Sequence, residues 1–220
     1  MVIPTRNRSH LVTRAIASAL NSGEACSEVL VVDDGSTDDT REVVASISDS
    51  RIRYFYSDSK GGPVARNLGF REANNSLIKF LDDDDYLVPG ALTKQLASFQ
   101  NLPVSARSRV VIYGDARVTG QMFSCLSWRE LPGHRRDHET DVEYLTRVNI
   151  QTSCPLHQRH LLDGVGGFDE SLSASQENDL HLRLALHGVQ FLHVPGDVYV
   201  FDNSSMRSRI STQKKDLSVI

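Results

Sequence analysis

No apolar stretch in these 220 residues is long enough to span a bilayer. No signal peptide opens the chain, which starts abruptly at Met1. Cysteine is scarce: the three residues Cys26, Cys125 and Cys154 lie far apart. An odd, scattered set offers neither a disulfide framework nor zinc-ligand spacing, and suits a reducing compartment. A basic surplus is also lacking. The net charge of −4 removes the overall electrostatic signature of nucleic-acid binding. There is no internal repeat and no domain linker. What remains is 40% apolar and 24% charged, ordinary for a globular chain. The length fits one domain over residues 1–220 with ample core. These features predict a cytoplasmic protein able to visit the inner face of a membrane.

The most informative feature present is a run of four aspartates, Asp82 to Asp85, directly after Leu77-Ile78-Lys79-Phe80-Leu81. The apolar run reads as a buried strand. The carboxylates then emerge at its carboxyl end, where open α/β sheets bind ligands. Adjacent negative charges repel, and a hard divalent cation with a preference for oxygen relieves that repulsion. A solvated acidic turn is the bland alternative. An EF-hand is excluded, because its sixth position requires Gly and its twelfth Glu. Counting from Asp82 gives Leu87 and Thr93, and counting from Asp34 gives Asp39 and Ala45.

The first hundred residues alternate strand and helix. Short strands are expected at Met1 to Ile3, Glu28 to Val32, Ile52 to Tyr56 and Leu77 to Leu81. Helices are expected at Ser9 to Asn21, after Ser36 or Thr37 as N-cap, from Gly61-Gly62-Pro63 to about Ala73, and over Gly90 to Gln100. Near-continuous apolar strands separated by helices predict an α/β fold with a mostly parallel sheet covered on both faces. Its carboxyl edge gathers Thr5, Asp33-Asp34 and Asp82 to Asp85 into one crevice. Beyond residue 101 the pattern is less regular. Strands are expected at Val110 to Tyr113, Val189 to Val194 and Val198 to Phe201, with helices at Asp141 to Val148 and Asp179 to His187. Gln121 to Asp141, which holds the only tryptophan, Trp128, reads as a long polar excursion. The tail after Asp202 is polar.

Three further motifs admit two readings each. Asp33-Asp34-Gly35-Ser36 ends a strand, where a carboxylate serves a nucleobase or ribose, or simply closes an Asx-turn. Lys60-Gly61-Gly62-Pro63 through Arg66 suits a diphosphate at a helix start, or a plain turn with Arg66 salt-bridged. Neither the P-loop nor the dinucleotide fingerprint fits its spacing. Gln176-Glu177-Asn178-Asp179 supplies either ordinary helix-start acids or a general base, Glu177.

In order, Ile3-Pro4-Thr5-Arg6-Asn7-Arg8, Val31-Val32-Asp33-Asp34-Gly35-Ser36, Ala65-Arg66-Asn67-Leu68-Gly69, Phe80 to Asp85, Val165-Gly166-Gly167-Phe168-Asp169-Glu170 and the Glu177 segment resemble family 2 glycosyltransferases. The resemblance covers nearly the whole chain. It implies a GT-A fold, with residues 1–100 binding a nucleotide sugar, most often linked to UDP, and residues 101–220 forming a smaller mixed acceptor side. It implies that Pro4, Thr5, Arg6 and Asp34, beside Asp33, line the base and ribose pocket, and that Lys60 or Arg66 meets the diphosphate. Asp84 would contact Mg²⁺ or Mn²⁺, with Asp82 or Asp83 on the ribose or the metal shell. Glu177 falls at the catalytic aspartate position, with Asp179 as the fallback base. Glutamate for aspartate there, Gln176 for a glutamate, and Arg6 where tyrosine is common are departures. The implied reaction is inverting sugar transfer to a glycan or lipid-linked acceptor in polysaccharide or glycoconjugate synthesis. Processive relatives carry a Gln-x-x-Arg-Trp element and membrane helices, both missing from this sequence, so single addition is expected. A non-catalytic nucleotide-sugar or glycan-binding module and a sugar nucleotidyltransferase are the competing readings.

Overall fold

The computed structural model describes residues 1–58, 60–119 and 135–202. Most of the polar excursion at 121–141, with Trp128, and the tail beyond Asp202 lie outside the described residues.

Three β-rich segments, β1 (Val2–Thr5), β2 (Val29–Asp33) and β3 (Ile52–Tyr56), form a parallel sheet in that order. Thr5 pairs with Asp33, and Asp33 with Tyr56, so all three strands end at one edge. Every residue of β2 is buried, which requires cover on both faces. That cover comes from helices. In α1 (Ser9–Leu20), Val12, Ala15, Ile16 and Ala19 form the buried stripe expected of helical spacing. The next helix, α2 (Thr40–Ala45), starts later than expected. Ser36 and Thr37 do not cap it, because Asn7 captures them. The Ser36 hydroxyl accepts from the Asn7 amide at 2.8 Å, and the Thr37 amide donates to Asn7 Oδ1 at 2.7 Å. Helix α3 (Gly62–Glu72) begins with Pro63 in its first turn, where a missing N–H costs nothing. It lies so close to the sheet that a Cβ on Gly69 would come within 2.3 Å of Val2 Cγ1.

The run after α3 continues the sheet with interruptions. Only β4 (Leu77–Ile78) is regular strand. Beyond it the Val2 amide donates to the Lys79 carbonyl at 2.8 Å and the Leu81 amide to the Val2 carbonyl at 3.0 Å, so the segment still runs beside β1. Then follow β5 (Tyr86–Leu87), α4 (Ala91–Gln100), α5 (Val104–Arg107), β6 (Val110–Thr119), α6 (Asp141–Arg147), β7 (His157–Gln158), α7 (Arg159–Val165), α8 (Gln176–Leu186) and β8 (Gln190–Asp202). β7 pairs antiparallel with β4, while β8 pairs parallel with β6 and antiparallel with β5. An antiparallel bridge from Ile112 to Leu156 connects the second group to the first. The two strands expected within Val189 to Phe201 are one strand with a register irregularity opposite Tyr113 to Ala116. Helix α8 starts at Gln176, three residues before the expected start, so Glu177 and Asp179 lie in its first turn.

One apolar core extends from Met1 to Tyr199 and joins both groups of strands. Two imidazoles are buried within it. His157 and His181 stack with 5.4 Å between ring centroids and 3.3 Å between their Nε2 atoms. Burial depresses the pKa of both, His181 to about 3. A cavity of about 210 Å³ opens at the amino ends of the strands, lined by residues including Cys26, Glu28, Lys79 and Leu156. No aspartate lines it, so it is remote from the carboxyl edge in chemistry as well as in position.

Candidate active site

The site is built on the carboxyl edge. Because the Leu77 to Leu81 segment runs beside β1, the aspartates emerge next to Thr5. The four then diverge. Asp83 turns inward: its carboxylate accepts from Thr5 Oγ1 at 2.8 Å and from Arg8 Nη1 at 2.8 Å. Burial pushes Asp83 up to about 6, with Arg8 pulling the other way and Asp84 adding to the rise. That value still leaves it ionised at neutral pH. Arg8 also lies 3.4 Å from Asp84, and although burial opposes its charge, Asp83 raises its pKa on balance.

Asp82, Asp84 and Asp85 converge instead, with one carboxylate oxygen from each within 4.8 Å of the others. An all-oxygen donor set of this kind fits Mg²⁺ or Mn²⁺, which prefer hard ligands. The expected pair Asp82 and Asp84 is therefore joined by Asp85, while Asp83 is diverted. Two supports fix this loop. Arg14 of α1 donates to the Asp84 carbonyl at 2.8 Å. Ser153 Oγ accepts from the Asp82 amide at 3.2 Å and lies 3.3 Å from Asp85 Oδ2. The Ser153 segment is itself anchored from the core. Lys79 Nζ donates to the carbonyls of Ser153, Cys154 and Pro155, and Gln95 Nε2 to that of Cys154. Desolvation lowers Lys79 to about 7, so its three carbonyl partners matter for keeping it in place.

At the end of β2 the two aspartates have different partners. Asp33 accepts from the Ser36 amide at 2.7 Å and from Tyr54 Oη at 2.6 Å, closing the turn. Asp34 accepts from the backbone amides of Lys60 and Gly61, at 2.9 Å each for the nearest contacts. Arg6 comes within 3.9 Å of Asp34 and is half exposed. Pro4 is partly buried in β1, and the Lys60 residue is exposed.

The decisive link is Arg66. Its Nη2 donates to Asp82 at 2.7 Å and its Nη1 to Gln176 Oε1 at 3.1 Å, across 110 residues of sequence. The first turn of α8 is thereby brought to the aspartate edge. A side chain on Gly62 would collide with this arrangement, since its Cβ would come within 2.9 Å of Arg66 Nη1. The glycine-rich turn before α8 is tied to the same helix: Asn67 donates to the Phe168 carbonyl and to Glu170, each at 2.9 Å. Within α8, Asp179 is held by Arg183 through contacts of 2.9 and 2.6 Å. Glu177 accepts from Asn149 Nδ2 at 2.8 Å.

Several of these contributors carry no role in the sequence reading, Arg14 and Gln95 among them. Arg8 stands three residues past a strand end that meets acidic neighbours, a weak signal that was available. Asp85 was seen as part of the run without a role. Ser153 and Asn149 belong to no motif.

The family model for Glycosyl transferase family 2 matches residues 1–159. The chain belongs to this family. Among relatives of this family 2 chain, the succinoglycan biosynthesis protein ExoU of Rhizobium meliloti is 28% identical over 94% of the chain and 63% of its own length. A Campylobacter jejuni protein named GalNAc(5)-diNAcBac-PP-undecaprenol beta-1,3-glucosyltransferase is 41% identical over 42% of the chain and 31% of its own length. Overall the chain spans 14% to 63% of the length of the curated relatives it matches. Among solved structures, Staphylococcus aureus TarS in complex with UDP-GlcNAc aligns with a TM-score of 0.70 at 19% identity, over 91% of this chain and 57% of that one. A mannosyltransferase from Pyrobaculum calidifontis, in complex with GDP-Man and Mn²⁺, aligns at 0.66 and 17%, over 91% and 55%. The shared architecture is the GT-A fold. Among the described residues, no helix is long and apolar enough to cross a membrane.

Proposed function

We propose that this chain moves a sugar from a UDP-sugar to a hydroxyl of a glycan or lipid-linked acceptor, with inversion at the anomeric carbon. The observation that carries the proposal is the Arg66 bridge, which joins Asp82 to the first turn of α8. It supports this reading because Glu177 follows Gln176 in that same first turn.

Glu177 is the general base in this reading. Asp179 is engaged twice by Arg183 and so has less freedom to accept a proton. Glu177 has a neutral partner, Asn149, on one oxygen. As the acceptor oxygen bonds to the anomeric carbon, its proton passes to Glu177. The bond from that carbon to the diphosphate breaks, and UDP leaves with the electron pair. Asp82, Asp84 and Asp85 would hold Mg²⁺ or Mn²⁺, whose contribution is charge compensation at the departing diphosphate. Arg66 and Lys60 add positive charge at the same side, while Pro4, Thr5, Arg6, Asp33 and Asp34 shape the base and ribose pocket. A lipid-linked acceptor would bring the protein to a membrane surface at the cytoplasmic side.

Glu177→Gln should lower transfer by roughly 100- to 10,000-fold and leave Mn²⁺-dependent UDP affinity within about two-fold, as isothermal titration would read. Near-native turnover in this variant would remove the assignment. Asp84→Asn should instead weaken UDP binding only when Mn²⁺ is present.

A further inference from the structure

We propose that Asn149 is the positioning residue for Glu177, holding one carboxylate oxygen so that the other is aimed at the acceptor. The proposal rests on the reading of Glu177 as base. Its basis is the 2.8 Å hydrogen bond from Asn149 Nδ2 to Glu177 Oε1, between residues 28 apart in sequence.

The backbone forces this contact. Val148 leaves α6 in an extended conformation, with φ −125° and ψ 127°. Val148 and Ile150 are both buried, so the alternation of an extended segment turns Asn149 to the opposite side. Helix α6 is itself fixed at its start by a reciprocal capping box between Thr140 and Glu143, and by the buried Tyr144 and Leu145. It packs against α8. The amide of Asn149 is therefore presented from a rigid support to the first turn of α8.

Glu177 needs such a partner. Its helix has no side-chain cap: Ser175 at the N-cap is left-handed, with φ 55°. Four other acids of the site are held by cations or backbone amides. Arg66 holds Asp82, Arg8 holds Asp83, Arg183 holds Asp179, and two amides hold Asp34. A side-chain amide differs from all of these. It donates a directional hydrogen bond without cancelling the carboxylate charge, and leaves the second oxygen with its lone pairs. A base needs both its charge and a fixed direction, because misplacement of about 1 Å costs on the order of 100-fold in rate.

The test uses Asn149→Asp, which keeps the shape and removes the donor, and Asn149→Gln, which keeps the donor on a longer stem. UDP release is measured with Mn²⁺ and UDP-glucose, UDP-GlcNAc or UDP-galactose, with water as acceptor, so no other acceptor is required. Asn149→Asp should lower kcat roughly 10- to 100-fold, with KM for the donor and the melting temperature unchanged. Asn149→Gln should recover most of that loss. A kcat for Asn149→Asp within two-fold of the parent overturns the proposal. So does a loss carried by KM, or a fall in melting temperature shared by both variants. Glu177→Gln is run alongside. If it is inactive while Asn149→Asp is normal, only the role of Asn149 fails. If it retains turnover, the reading of Glu177 as base fails first; if the parent releases UDP from none of the three donors, the proposed UDP-sugar activity itself fails.

Discussion

Acidification should unfold this protein through two histidines buried in its core. His157 and His181 are fully buried, and each lowers its pKa mainly because burial excludes the charged ring. In the unfolded chain both return to about 6.5. Below that pH the unfolded state binds protons that the folded state refuses, so stability falls as pH falls. The loss begins near 6.5 and levels off for His181 only below about 3. At pH 5 the neutral His181 ring costs about 2 kcal/mol by this linkage, and the buried His157 ring acts in the same direction. Asp83 works in the other direction. Its carboxyl is raised to about 6, so the folded state gains a proton between pH 7 and 5 and recovers about 1 kcal/mol. The histidines win: His181 alone leaves a net loss of about 1 kcal/mol, which His157 enlarges, against a typical total of about 5–15 kcal/mol. With a urea m-value of about 3 kcal/mol/M, the midpoint should fall by at least about 0.3 M between pH 7 and pH 5. The double variant His157→Gln/His181→Gln keeps a donor and an acceptor across the 3.3 Å contact but cannot titrate. Its midpoint should hold or rise slightly over the same range. A parent protein no less stable at pH 5, or a double variant with the same fall, would refute the reasoning.

Two further perturbations probe the supports of the site. Arg8→Met strips the cation from a carboxylate that is almost fully buried, and should destabilise by about 3 kcal/mol in urea unfolding. Arg8→Lys should recover part of this, and a change below about 0.5 kcal/mol would mean that Thr5 alone satisfies Asp83. Gly69→Ala forces a methyl toward Val2 Cγ1 and Val32 Cγ2, at 2.3 and 3.1 Å from the undisturbed positions. Overpacking of about 1–3 kcal/mol exceeds the helix-propensity gain of about 1 kcal/mol, so calorimetry should show a lower melting temperature.

What the sequence made legible was whatever short stretches decide by themselves. An apolar run followed by aspartates states where a strand ends and what its edge will carry, and that holds for Val29 to Asp34 and for Leu77 to Asp85 alike. Gly61-Gly62-Pro63 announces the start of α3 for the same reason. Errors arose where a distant partner competes with local preference. Ser36 and Thr37 have the chemistry of caps, but Asn7, with φ 52°, takes them first. Gln176 to Asp179 dilute the apolar spacing that marks α8, whose start is set by what Gln176 meets on Arg66. Within four identical aspartates, nothing local separates Asp83 from its neighbours.

The distinction comes from Thr5 and Arg8, more than 70 residues away, and it has a chemical consequence. A loop of four free carboxylates would bind a cation in several ways. Asp83 is turned to Thr5 and Arg8 inside the fold, while one oxygen each of Asp82, Asp84 and Asp85 converges, with Ser153 and Arg14 fixing the backbone beneath them. The same division recurs in α8, where Arg183 occupies Asp179 and leaves Glu177 to Asn149. In both places an arginine engages an acid within a redundant pair or run. A substitution that frees the wrong acid should then mislead the chemistry without unfolding the chain. Arg183→Gln is the direct case, since it removes the two contacts that hold Asp179 in the same turn as Glu177.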